Sequence, residues 1–347
     1  MKQKVTIEEH LEKLQHDMQD RVPFDFYKSY SRIKEYLEEH VYGQQIIGAA
    51  LKGDGLLTDH GISHVKDVIE HMSKLLLYDY EALNIRETFL LLVAALVHDI
   101  GNVGGREGHE KRIDSIIKCC EEFERLETPI KHYAIQIAMA HGGRTSSGSR
   151  DTISNIRRVD QLGGGNIRPR ALAALLRFAD ELADNSDRAN CDMDQLGGIP
   201  KGNLIYHMYS KCLQPVIVEG VSVAFKYFMS ADLATKKFEK EVDGKTVKLY
   251  LFDEILQRLK KAFCEMEYCV KHSSGLFHFE GIDATIDILP NDARHDILSI
   301  PLRFKCCGYP KSPENLNEVL ERPLPSEFST GEEIAKYIAT TFIEVAE

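Results

Sequence analysis

The stretch TFLLLVAALVHDIGN, residues 88–102, decides the fold of this chain. Its first part, Thr88–Val97, is almost entirely apolar, which predicts a helix buried in the middle of the fold. This run is about half of the ~20 residues that a membrane-spanning helix needs, so we expect no membrane segment and no membrane partner. The polar doublet His98-Asp99 ends the run, and its position at the end of a buried helix makes it a candidate for chemistry.

The residues on both sides of this stretch predict more helices. Thr6 and Glu9 form a capping-box pattern at the start of a helix near the N-terminus. Ser63 is the predicted cap of a helix that carries His64. Further helices are predicted over residues 24–42, 86–97, 109–123, 129–140 and 169–183.

The composition changes near residue 190, where β-rich segments begin. The segment 215–229 is divided by Glu219-Gly220 and predicts a hairpin. We therefore expect a mainly α fold, with a helical domain over residues 1–190 and a smaller α+β region over residues 191–347. Within that region the sequence predicts strands over residues 246–251 and 281–289 and helices over residues 252–270 and 330–345.

The overall composition is that of an ordinary globular protein, and it excludes several function classes. The 347 residues carry a net charge of −11, which argues against a protein that binds duplex nucleic acid. The eight cysteines include two adjacent pairs and no CxxC motif, so we expect free thiols and a cytoplasmic location.

Six residues stand out as candidate metal ligands because of their type and context. The long intervals between them each leave room for helices, so a helical bundle could bring all six together. Imidazole and carboxylate ligands together suit divalent Mn, Fe, Co, Ni or Zn. The six residues are His64, His98, Asp99, His109, His141 and Asp180.

In order and context these residues resemble the HD superfamily of metal-dependent phosphohydrolases. The family pattern is a histidine, a His-Asp doublet after an apolar helix and a later aspartate. Here these are His64 in GISHVKDVI, His98-Asp99 in LVHDIGN and Asp180 in LRFADELAD, and the resemblance covers about residues 60–190. Two further histidines, His109 and His141, are similar to those of the dinuclear branch that includes HD-GYP proteins. The GYP motif itself is absent and Asn102 replaces a common lysine, so cyclic di-GMP is not favoured as substrate.

The resemblance implies an HD-type helical bundle, two divalent metal ions and a hydrolytic mechanism. Mn or Fe is favoured, with Mg, Co, Ni or Zn as alternatives. Asp99 would bridge the ions, and a metal-bound hydroxide would attack phosphorus without a protein nucleophile. His64, His98 and Asp180 would complete one metal site, and His109 and His141 the other. In a mononuclear enzyme, His109 and His141 would instead contact phosphate.

Arginine is concentrated in and after a glycine-rich segment, residues 142–167, which is predicted to be a long loop or lid. Guanidinium groups bind phosphate oxygens in a bidentate manner, so we expect two or three of these arginines to contact the substrate, with Arg144 and Arg170 as first candidates. The alternative is that several pair with neighbouring carboxylates. The eight arginines are Arg144, Arg150, Arg157, Arg158, Arg168, Arg170, Arg177 and Arg188.

Three other polar residues receive weaker predictions. His60 is expected to contact a metal ligand or to cap the helix rather than to bind a metal itself. Asp184 is expected to orient a ligand or to pair with an arginine. His207 is expected to be packed rather than functional.

The sequence predicts a phosphohydrolase that acts on a nucleotide, either a deoxynucleoside phosphate or a cyclic or oligomeric nucleotide. The nucleotide is implied by the resemblance alone. Two alternatives remain: a nucleotide-binding sensor without turnover, and a nuclease for single-stranded nucleic acid. The absence of tryptophan and the negative net charge argue against the nuclease. We also expect that the C-terminal region could mediate homo-oligomer formation.

Overall fold

A computed structural model of the chain describes residues 5–18, 24–43, 61–104, 108–145, 147–184, 201–242, 245–290, 297–305 and 315–343. The chain divides into two compact units. The first comprises Met1–Ala183 and Cys269–His278, and the second Asp184–Tyr268 and Phe279–Glu347. The domain boundary predicted near residue 190 lies outside the described residues.

The first unit is helical. Short 3-10 turns at Ile100–Gly104 and His109–Arg112 connect some of its helices, and a π-helical turn at Glu38–Tyr42 extends one of them. Its helices are α1 (Ile7–Met18), α2 (Phe26–Leu37), α3 (Ile62–Leu75), α4 (Ile85–Val97), α5 (Ile113–Ile117), α6 (Glu121–Glu124), α7 (Thr128–Met139) and α8 (Pro169–Leu182).

Helix α4 is the centre of this unit, as its apolar sequence predicts. A capping box between Asn84 and Glu87 begins the helix, and every residue of the helix except Arg86 is buried. The helix packs against α1, α2, α3, α7 and α8. The longer segment Ile85–Gly104 is apolar enough to be a candidate membrane span, but 89% of its most apolar 18-residue window is buried inside the protein, as expected of a core helix.

Several local predictions for the first unit are confirmed and others are wrong. The Thr6–Glu9 capping box is present. Helix α3 begins two residues earlier than predicted, so Gly61 rather than Ser63 is its N-cap. The single helix predicted over residues 109–123 is wrong, because the chain forms a 3-10 turn and α5 and then breaks at Cys120, whose backbone is extended.

The segment 142–167, predicted to be a loop, contains a hairpin of two short strands, β1 (Asp160–Leu162) and β2 (Gly165–Ile167). Gly163 and Gly164 form its two-residue turn with φ of +54° and +79°, which is a conformation that glycine adopts without strain. Gly163 and Gly164, in the segment predicted to be a long loop or lid, therefore shape a tight turn.

The second unit combines strands and helices, so the predicted mainly α fold with a smaller α+β region is confirmed. Its main sheet has the order β3-β4-β7-β8, in which β4 and β7 are parallel and the other pairs are antiparallel. Strands β5 and β6 form a separate hairpin. The elements are α9 (Leu204–Cys212), β3 (Ile217–Glu219), β4 (Ser222–Ser230), α10 (Ala231–Thr235), β5 (Lys237–Val242), β6 (Lys245–Tyr250), α11 (Leu251–His272), β7 (Gly281–Leu289), β8 (Leu298–Lys305) and α12 (Gly331–Ile343). The last four residues of α11, 269–272, belong to the first unit.

A network of charged side chains links the helices and strands of the second unit. Glu254, which is almost fully buried, accepts hydrogen bonds from Lys240 Nζ over 2.6 Å and from Arg258 Nε over 3.0 Å. Arg258 also lies 3.6 Å from Asp184 Oδ2. Asp184 thus pairs with an arginine, which is one of the two roles that the sequence suggests for it.

Candidate metal centre

The six predicted ligands lie together in the first unit, and each is placed by the end of a helix or a turn. His64 is in the first turn of α3, His98 directly follows α4, and Asp99 comes next. His109 begins a 3-10 turn, His141 lies just beyond α7, and Asp180 is in the last turn of α8.

The carboxylate of Asp99 divides this cluster into two halves. Its Oδ2 atom lies 3.6 Å from the Nε2 atoms of both His64 and His98. Its Oδ1 atom lies 3.1 Å from His109 Nε2 and 3.5 Å from His141 Nε2. Asp180 Oδ1 joins the first half, 3.1 Å from His64 Nε2 and 3.6 Å from His98 Nε2. One carboxylate therefore faces two groups of ligand atoms, each of which could hold one ion.

Backbone carbonyls fix the orientation of two imidazole rings. The Nδ1 atom of His98 lies 2.8 Å from the carbonyl oxygen of Ala95, and that of His141 lies 2.6 Å from the carbonyl oxygen of Ala138. A carbonyl can only accept a hydrogen bond, so Nδ1 must carry the hydrogen in both rings. The lone pair of each Nε2 atom then points to the centre, as in histidines that bind metals.

In each half of the cluster, the ligand atoms are close enough together to bind one common cation. Ligands about 2.1 Å from a common ion lie about 3.0–3.4 Å apart at octahedral to tetrahedral angles. The Nε2 atoms of His64 and His98 are 3.4 Å apart, and those of His109 and His141 are 3.0 Å apart. Nitrogen and carboxylate atoms at these separations suit divalent transition metals.

The charges at the centre favour a cation. Burial disfavours the protonated form of His98, but Asp99 and Asp180 outweigh it and raise the pKa of His98 to about 9. Burial likewise opposes ionisation of Asp180, yet its contacts with His64 and His98 hold the pKa of its carboxyl well below the usual range. These carboxylates stabilise positive charge beside them, and a divalent ion can replace the proton.

Glu110 is a residue of the centre that sequence reasoning missed. Its carboxylate is mostly buried, and its Oε2 atom lies 3.6 Å from Nδ1 of His109. At this distance the contact is electrostatic rather than a hydrogen bond, and it places a carboxylate beside the ring nitrogen that does not face the cluster, where metal-binding histidines often have one. Its position directly after His109 is the only signal for it in the sequence.

The predicted phosphate-binding arginines have different surroundings. Arg144 is exposed, and its Nη1 donates to the carbonyl oxygen of Gly148 over 2.8 Å. Arg170 donates through Nε to the carbonyl of Ile156 and through Nη2 to that of Ser154, so it braces the loop before α8. A role for either side chain in binding phosphate stays a prediction.

Other arginines pair with carboxylates, as the alternative interpretation expected. Arg168 forms a bidentate ion pair with the buried carboxylate of Glu87, with both hydrogen bonds 2.8 Å long. Arg157 pairs with Asp160 over 2.8 Å. His207 is buried in α9, in keeping with a packed residue. His60 and Arg188 lie outside the described residues.

Comparison with known protein families gives one match, to the family HD-CE, over residues 54–261. The match covers more than half of the chain, and the chain therefore belongs to this family, which is related to the HD domain. The resemblance to the HD superfamily is thus confirmed, and the matched range extends beyond the predicted core at 60–190. Comparisons with curated proteins and with solved structures give no match.

Proposed function

We propose that this protein is a divalent metal-dependent phosphohydrolase that cleaves a phosphate ester or anhydride bond of a nucleotide. The observation that carries the proposal is the position of Asp99, whose two carboxylate oxygens face two separate pairs of histidines. A carboxylate placed between two groups of imidazoles could bridge two ions, and a pair of ions is one arrangement that hydrolyses phosphate esters.

Two divalent ions at this centre, Mn²⁺ or Fe²⁺ by preference, would supply an acidified water molecule and would polarise the phosphoryl oxygens. The protein itself supplies position and charge. His98 and His141 are held by backbone carbonyls, so their Nε2 atoms need no reorganisation before they bind. Arg144, three residues after His141, would bind a phosphate oxygen through its remaining N–H groups.

The test is turnover of a nucleotide panel by protein that has been stripped with a chelator and reloaded with Mn²⁺. The panel contains deoxynucleoside triphosphates, cyclic nucleotides, short linear oligonucleotides and one longer single-stranded DNA. We expect no turnover by the stripped protein and hydrolysis of at least one nucleotide after reloading.

Two variants make the test specific to the centre. Asp99→Asn keeps the shape of the side chain but removes its charge, and we expect it to lower kcat/KM by several powers of ten, at least about a thousandfold. Asp79→Asn makes the same change at an exposed aspartate of the first unit and should leave kcat/KM unchanged.

A kcat/KM of Asp99→Asn equal to that of the wild type would contradict the proposal. Binding of a nucleotide without hydrolysis would favour a sensor. Cleavage confined to the longer DNA would favour a nuclease for single-stranded nucleic acid.

A further inference from the structure

A cavity of about 600 Å³ opens beside one half of the metal centre, within the first unit. Glu110 and Gly142, which directly follow His109 and His141, line it. Its volume lies within the range of about 300–1,000 Å³ that is usual for sites that bind small molecules. The six candidate metal ligands do not account for this cavity.

The cavity wall combines apolar surface with side-chain amides. Phe123 and Ile156 contribute buried apolar side chains, and Met139 keeps 36% of its surface exposed, which is unusual for so large an apolar residue in this unit. The amides of Gln136 and Asn155 are also part of the wall. An amide both donates and accepts hydrogen bonds, which matches the mixed polar edge of a heteroaromatic base.

The cationic groups around the cavity are not equally available. Lys118 pairs with Asp114 over 2.5 Å, and Lys131 pairs with Glu124 over 3.0 Å. Lys111, by contrast, has no ion pair within the part of the chain that the structure describes.

Arg144 is the second available cation. Its guanidinium uses one of its five N–H groups on Gly148 and keeps others for a ligand. Lys111 follows His109 by two residues, and Arg144 follows His141 by three. Both available cations are therefore close in sequence to a candidate metal ligand.

We propose that this cavity binds the nucleoside part of the substrate, with the attached phosphate between the metal centre and the side chains of Lys111 and Arg144. The inference rests on the proposed function and deepens it. Apolar walls would cover the faces of the base, and the amides would bind its edge. Gln136 is half-buried and Asn155 is exposed, so an acyl or lipid chain would displace water from these amides without offering a hydrogen bond in return, which is unfavourable.

The test measures binding rather than turnover, by calorimetry on the Mn²⁺-loaded protein. The ligands are 5′-methylene phosphonate analogues of the adenine, guanine, cytosine and uracil or thymine nucleoside monophosphates, each in its ribose and its deoxyribose form, in which a carbon replaces the bridging oxygen and prevents hydrolysis. We expect at least one analogue to bind the wild type.

Met139→Trp would fill the cavity from its exposed wall and should weaken binding by about tenfold or more, since the base loses apolar contact area. Val159→Trp is the matched control, because Val159 is exposed and does not line the cavity. It should bind as the wild type does. Gln136→Ala removes one amide without filling the cavity and should change the preference among the four bases several-fold.

Unchanged affinity in both Met139→Trp and Gln136→Ala, or no binding of any analogue to the wild type, would overturn the nucleoside site, even if the nucleotide panel shows hydrolysis. Tight binding that Met139→Trp abolishes, together with no turnover of the panel, would overturn the proposed hydrolysis and leave the nucleoside site in place. Melting temperatures of the three variants, compared with the wild type, identify any loss of folding.

Discussion

Asp99 and His109 are brought together by a close approach of two backbone segments. The backbone N–H of Asn102 donates to the backbone carbonyl oxygen of Asp99 over 3.0 Å, and this begins the 3-10 turn at Ile100–Gly104. Gly101 in that turn packs against the backbone of His109, so closely that a Cβ atom there would lie 1.9 Å from the His109 carbonyl oxygen. Gly101 is therefore required here, because the backbone of His109 leaves no room for a side chain at this position.

Gly101→Ala should separate the segment of His109 from Asp99 and lower metal content in the half that contains His109 and His141. We expect about one ion to be lost per chain, measured by elemental analysis of purified protein, because that half then lacks a ligand. Gly142→Ala is the control next to a candidate ligand, since a Cβ at Gly142 meets nothing within 4 Å. Full metal content in Gly101→Ala would contradict this account of the close approach.

Arg144→Lys and Arg170→Lys keep the positive charge but lose the planar guanidinium, and the structure predicts different results for them. If Arg144 binds phosphate, its variant should lose about 1.5–3 kcal/mol of transition-state stabilisation, or roughly ten- to a hundredfold in kcat/KM, with its melting temperature unchanged.

Arg170→Lys should instead lower the melting temperature, because it loses the hydrogen bonds to Ile156 and Ser154. Metal content should stay constant in both variants. The reverse assignment, with stability lost in Arg144→Lys alone, would contradict the observed contacts.

Among the elements, the start of α4 is held to the start of α8 by one buried ion pair. Glu87 accepts hydrogen bonds from the backbone N–H, Nε and Nη2 of Arg168, and its Oε2 atom also accepts from the backbone of Asn84. Helix α4 ends at Val97, directly before His98, and α8 carries Asp180 in its last turn. The pair therefore joins the first turns of two helices whose other ends reach the centre.

Glu87→Gln should destabilise the protein by about 2–3 kcal/mol, because Arg168 keeps its charge in a partly buried place without a carboxylate partner. Denaturant unfolding measures the change. Glu121→Gln is the control in an exposed pair with Arg125, and we expect less than about 0.5 kcal/mol there. Equal effects of the two substitutions would show that burial of the Glu87 pair adds nothing.

The predictability of each element depended on how much of its signal is local. Helix α4 and the long helix α11 were predicted because their patterns need no knowledge of partners. Strand β8 was missed, although Ile300, Leu302 and Phe304 alternate with exposed residues, because Pro301 obscures the pattern.

The site follows the same rule. The order of histidines and aspartates was enough to predict the cluster of candidate ligands, since the helices that separate them return to one place. Glu110 was not predictable, because its contact with His109 depends on the 3-10 turn that replaced a predicted helix.

At the scale of the whole molecule, pH sensitivity should come partly from a buried histidine outside the centre. His71 in α3 donates from Nδ1 to the carbonyl of Asp67, and burial, with a smaller contribution from Lys74, lowers its pKa to about 4. A histidine with a lowered folded pKa is neutral in the folded protein, so its stabilising contribution is complete above its ordinary pKa and is lost as the pH falls toward the folded pKa.

Acidification from pH 7.5 to 5 should therefore cost about 2 kcal/mol of folding free energy through His71 alone, at about 1.36 kcal/mol for each pKa unit. The variant His71→Leu cannot take up this proton and should lose less stability than the wild type over the same range. Denaturant unfolding at each pH gives the comparison, and parallel curves for the two proteins would contradict the assignment.

Anomalous diffraction from crystals soaked in Mn²⁺ would locate the two metal ions that we propose on either side of Asp99. We expect two peaks about 3.5–4 Å apart, one within reach of His64, His98 and Asp180 and the other within reach of His109 and His141, with Asp99 between them. A single peak, or peaks bound by other side chains, would contradict it.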